Sequence, residues 1–117
     1  TDLAGGPEVS LYVGSTRRVL VMHSARLFVA NGSVTQGVEV AGASNIPVGS
    51  QVENADLLNQ NPLSVWAAVS ASTVLTADSG LQQGTNVFRC RYQADAHDNP
   101  NPSVLQVASR TITVIPF

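Results

Sequence analysis

The sequence contains no lysine and one cysteine, Cys90. A single cysteine closes no disulfide within the chain and supplies no cysteine-based zinc site, so the fold has to be held by packing. The six basic residues are all arginines, outnumbered by eight acids for a formal charge of −2. That balance removes the broad basic footprint that nonspecific nucleic-acid binding needs for counterion release. Charged residues are scarce at 12% while apolar residues reach 44%, which excludes charge-rich disorder. No apolar run approaches the roughly eighteen residues of a membrane-crossing helix, and no basic-then-apolar leader opens the sequence. The expectation is a soluble chain with neither membrane nor nucleic acid among its partners.

What is present fits one domain spanning 1–117. At 12.2 kDa, surface scaling gives roughly 6,000 Å² folded against roughly 18,000 Å² extended. Enough surface is removed from water for one core without staples.

Valine, threonine and serine are abundant, and apolar residues alternate between Gly, Pro and Asn breaks, so the fold class is all-β. In Glu8 to Val13, the residues Val9, Leu11 and Val13 share a face. Arg18 to Ala30 is partly apolar on both faces and predicts a long strand through the centre of a sandwich. Asn31-Gly32 tolerates positive φ and predicts a hairpin to a returning strand at Gln36 to Val40. Residues 41–63 read as an irregular excursion with a weak helical turn at Ala55 to Leu58. Ser64 to Thr76 is a strand of small residues, with its tryptophan, Trp66, assigned to the core. Gly84 to Ala94 places Phe88, Cys90 and Tyr92 inward and Val87, Arg89 and Arg91 outward. Prolines make 96–102 an exposed turn, and Ser103 to Pro116 is a last strand with Ile112 and Val114 facing opposite Thr111, Thr113 and Ile115. About seven to eight strands in this order predict a single β-sandwich, immunoglobulin-like or jelly-roll.

Chemistry-bearing motifs are sparse. There is no Gly-x-Ser-x-Gly elbow, no phosphate-cradling loop and no metal-ligand spacing. His23 sits within a strand and reads as a neutral imidazole bonded to backbone or hydroxyl. Asp95, His97 and Asp98 crowd one turn and read as a solvated loop. Cys90 reads as a protonated, inert core thiol. Arg89 and Arg91 read as strand arginines paired with acids. Asn31-Gly32-Ser33 matches a glycosylation acceptor, but serves as a turn. No catalytic residue, no cofactor and no metal site is expected.

Four stretches together resemble a known group. They are Gly6-Pro7-Glu8-Val9, Arg18 to Leu27, Gly80-Leu81-Gln82-Gln83-Gly84-Thr85-Asn86-Val87-Phe88 with Tyr92, and Arg110 to Phe117. Over nearly the whole chain the pattern resembles the small β-sandwich domains of actinobacteriophage virion surface proteins. The resemblance implies a non-enzymatic structural protein, a capsid decoration or tail-fibre head domain, acting through protein–protein contacts. It implies a homo-oligomer, a trimer at the three-fold positions that virions offer, with the capsid or a fibre shaft as further partner. The location implied is the virion surface, after assembly in the host cytoplasm. The alternative is a receptor- or carbohydrate-binding adhesion module that meets a host surface glycan with loops at one sandwich end. Candidate contact residues are Asn45, Gln51, Asn54, Asn59 and Asn61 in the excursion, and Asp95, His97, Asp98, Asn99 and Asn101 in the late turn.

Overall fold

A computed structural model describes residues 2–3, 6–96 and 103–117. The strands are β1 (Asp2–Leu3), β2 (Glu8–Val13), β3 (Val19–Ala30), β4 (Gly32–Gly42), β5 (Ala55–Asn59), β6 (Val65–Leu75), β7 (Gly84–Ala96) and β8 (Val104–Pro116), with a single 3-10 turn at Ala77–Ser79. All pairings are antiparallel. β1 and β2 lie along the same edge of β7, Leu3 opposite Tyr92 and Glu8 opposite Arg89, so they act as one interrupted edge strand. The first sheet then runs β1/β2-β7-β4-β5 and the second β6-β3-β8. Packed face to face, they make a single β-sandwich, as the strand periodicity predicts.

β3 carries the second sheet. Val19, Val21, His23, Ala25, Leu27 and Val29 are all buried, and the intervening Leu20, Met22, Ser24, Arg26 and Phe28 point to the outer side. Branched side chains favour this pleated surface, and the two-residue period fixes which row is inside.

The hairpin expected between β3 and β4 does not form. β3 pairs with β6 and β8, whereas β4 pairs with β5 and β7 in the other sheet. Asn31 alone makes the corner, at φ 52°. A flat hairpin would keep both strands in one sheet; this corner instead turns the inward rows of β3 and β4 toward each other. Gly32 is needed there because a Cβ would collide with the carbonyl oxygen of Asp95. β4 is also longer than the expected Gln36 to Val40, since its whole length finds a partner in β7.

The expected helical turn at 55–58 is a strand instead. β5 pairs with Gly32 to Gln36 of β4, burying Ala55 and Asn59. Open donors and acceptors on β4 outweigh a weak local preference for helix over so few residues. The rest of the excursion also packs: Ile46 bridges Val40, and both Ile46 and Val52 are buried in the core. The accessible surface of 6271 Å² is close to the ~6,000 Å² expected for a compact chain of this mass.

The core has two parts. The larger gathers Val13, Val21, Val38, Ile46, Leu75, Leu81, Phe88, Cys90 and Tyr92, among others. The smaller holds Ala25, Leu27, Val29 and Val34. His23 of β3 and Gln36 of β4 lie between them and bond across the sandwich.

Candidate functional site

Of the contact residues nominated from the sequence, those that the structure describes are spread along β4. Asn45 and Gln51 are exposed, and Asn54 lies over Gly37, where an added Cβ would stand 2.7 Å from the Asn54 Oδ1. Asn59 is buried rather than offered to a partner. Its Nδ2 donates to the carbonyls of Val29 and Leu63, each at 2.8 Å, and its Oδ1 accepts from the Asn61 N–H at 3.0 Å. It thus ties β5 to β3 and to the following turn. The carbonyl of Asn61 accepts from the Asn31 N–H, and the carbonyl of Asn31 accepts from the Ser103 hydroxyl. Asp95 is exposed at the end of β7, while His97, Asp98, Asn99 and Asn101 lie outside the described residues.

The 41–63 excursion runs along β4, from Ile46 bridged to Val40 to Asn59 opposite Gly32, so its last residues share an end with Asp95, opposite Ser33. The 43–46 turn at the excursion's other end follows Gly42, opposite Asn86. At a strand rise of about 3.3 Å per residue, the length of β4 separates these two ends by about 33 Å. Asn31 is only 1% exposed, so the sequon is closed to a glycosyl group and serves as the corner alone.

His23, Cys90 and Tyr92 are buried. The Nε2 of His23 is 2.7 Å from the carbonyl of Glu53, which can only accept, so that nitrogen carries the proton. Its Nδ1 accepts from the Gln36 amide at 2.7 Å. With both ring nitrogens engaged, the imidazole has no lone pair for a metal or a substrate proton. Burial pushes the Cys90 thiol up to about 11, against weaker opposing effects of Tyr92 and Arg110. Burial likewise raises the Tyr92 phenol, whose hydroxyl has no hydrogen-bond partner. The guanidinium of Arg110 sits 5.4 Å from the centre of the Tyr92 ring. Among the described residues no group of three or more His, Cys, Asp or Glu could hold a metal ion, and no helix is long and apolar enough to cross a membrane.

The two outer faces differ in chemistry. On the first sheet, Glu8, Arg89 and Glu39 stand opposite one another on β2, β7 and β4. Arg89 bonds Glu8 at 2.7 Å and Glu39 at 3.3 Å, and Arg91 reaches Glu39 at 3.5 Å. Glu8 is the main cause of the upward shift of the Arg89 guanidinium. These arginines pair with acids, as the sequence suggests.

The outer face of β6-β3-β8 is different. At one end Trp66, Phe28 and Gln106 align across the three strands; at the other, Val74, Leu20 and Ile115 do so. Between these ends lie Ser70, Ser24 and Thr111 in one row and Ser72, Met22 and Thr113 in the next. Ser24 and Thr111 bond through their hydroxyls. Trp66 is 54% exposed and Val74 50%. The Arg26 guanidinium stacks over the Trp66 ring at 4.3 Å from its centre.

The core assignment of Trp66 is therefore corrected. β6 buries Leu75 and half-buries Ala67, Val69, Ala71 and Thr73, so its phase sends Trp66 outward with Ala68, Ser70 and Ser72. The grouping of Trp66 with small polar residues was the signal available in the sequence. A preference for burying tryptophan yielded to strand phase, because rotating the strand would have exposed its entire apolar row. No protein-family model, curated protein or solved structure matches the chain.

Proposed function

We propose that this chain is a non-enzymatic structural module that acts through protein–protein contacts made by the outer face of β6-β3-β8. The observation that carries the reading is the composition of that face. Its cross-strand rows hold exposed Trp66, Phe28, Val74 and Ile115 around a belt of hydroxyls, with Arg26 as the charged member. A contiguous, weakly charged, aromatic-bearing face is the physical character of a contact patch. In the setting that the sequence resemblance suggests, the module sits on a bacteriophage virion, as a capsid decoration or a fibre head. Its partners there are copies of itself and the capsid or fibre shaft.

A density map of the assembled particle tests this reading. The expected result is the β6-β3-β8 face turned toward a neighbouring protein. A map with that face open to solvent and the charged face of the other sheet buried would overturn it.

A second reading, adhesion to a host surface glycan, draws support from Trp66 beside Phe28 and Gln106, an aromatic surface with a nearby amide. It places the sugar on the sheet rather than on the loops. Binding on a glycan array that disappears in Trp66→Ala supports it, and silence across the array removes it.

A further inference from the structure

An edge strand offers unpaired N–H and C=O groups, and proteins normally blunt such edges with charge, proline, a bulge or shortness. Three of the four edges in this sandwich are blunted. The β1/β2 edge is interrupted around Gly6-Pro7 and carries Glu8. β5 has five residues, one of them Asp56. β8 bulges between its partners of Ser24 and Arg26, with Ser109 at φ 50° and Arg110 beside it, and it ends in Pro116.

β6 has none of these devices. Over eleven residues, Val65–Leu75, it contains no charge, no proline and no glycine, and among the described residues it pairs with β3 alone. We propose that the free edge of β6 pairs antiparallel with β6 of a second copy, about a two-fold axis through Ser70.

Three arguments select this occupant and this register. A one-residue slip would set outward side chains against inward ones, so the axis must pass through a residue and not between two. Of such axes, the one through Ser70 pairs the full eleven residues. It also makes the strand complementary to itself: bulky Trp66 meets Val74 of the second copy, Ala68 meets Ser72, and the Ser70 hydroxyl, donor and acceptor at once, meets its own copy. With no charge in the strand, the two-fold axis brings no like charges together. The pairing adds on the order of ten backbone hydrogen bonds. It joins the two three-stranded sheets into one of six, with Arg26 still stacked on Trp66.

This inference rests on the reading of the chain as a contact module, and it names a two-fold contact where the virion resemblance implied a three-fold one. The test is sedimentation velocity on the full chain over a range of concentrations. The expected species has twice the 12.2 kDa mass. Ser70→Lys, at an exposed outward position, should leave the far-ultraviolet spectrum unchanged and weaken association at least tenfold. Ser70→Glu should do the same, and an equimolar mixture of the two should restore the pair. Ser70→Cys should link into a covalent dimer with a short thiol crosslinker, whereas Gln106→Cys, on the same face but the far strand, should not. A wild-type monomer at millimolar concentration, a trimer, or a folded Ser70→Cys that fails to link would each overturn the pairing. A monomer that still docks through its sheet face on the particle would remove the pairing and keep the contact function; a dimer that docks nowhere would do the reverse.

Discussion

The two parts of the core close in different ways. At the Asn31 end, Ala25, Leu27, Val29 and Val34 come from β3 and β4, and the seal is polar: Asn59, Asn61 and Ser103 bond the backbone around the corner. At the other end Phe88, Tyr92 and Leu81 belong to the larger part, and the strands do not close it unaided. Ile46 and Val52, from the 43–54 segment, complete that wall. A segment that looks free in sequence is thus part of the core. The difference shifts attention from loops to sheet faces as the place where a partner binds.

The largest expected effect comes from the larger part. Phe88→Ala removes a fully buried ring there and should lower unfolding free energy by about 3–5 kcal/mol, read by urea denaturation. Equal loss from the smaller Leu27→Ala would show that the smaller part sustains the fold as much as the larger one.

Next comes the polar divider. Gln36→Leu leaves the Nδ1 of His23 buried without its donor and should cost about 1–3 kcal/mol. A double-mutant cycle with His23→Leu should show coupling between the two sites, and strict additivity would mean that the divider is not a unit.

A smaller effect is set by pH. Because the folded thiol of Cys90 ionises at about 11 against an ordinary 9.0, its contribution is complete below pH 9 and is lost as pH rises toward 11. The raised Tyr92 phenol acts in the same direction at higher pH. Denaturation midpoints from pH 8 to 11 should fall, and fall less steeply in Cys90→Ala. An unchanged slope in that variant would assign the alkaline loss elsewhere.

Smallest is Tyr92→Phe. The Tyr92 hydroxyl is buried without a partner, so its removal should be neutral or stabilising by up to about 1 kcal/mol. A clear loss would reveal a bond from that hydroxyl to Cys90 or Arg110, the two groups that act on the phenol.

Much of the fold was legible because alternation is a local property. The face shared by Val9, Leu11 and Val13, the inward Phe88, Cys90 and Tyr92, and the face shared by Ile112 and Val114 all follow from the two-residue period. The inert character assigned to Cys90 follows from that same face. Two readings failed for one reason: Ala55 to Leu58 and the Asn31 corner are decided by which strands lie alongside, and local propensity does not contain that information. The exposed face carrying Trp66 lay between the two cases, since its grouping was written in the strand but its phase was not.

By itself, then, the sequence determined most of the strands, the rows that share a face and the lack of charge along β6, because these depend on side chains a few residues apart. The tertiary structure decided the rest: that Asn31 sends the chain from one sheet to the other, that Ile46 and Val52 complete the core, and that β6 ends at an edge. Those are relations between segments tens of residues apart, fixed when two apolar rows meet and the backbone groups between them find partners.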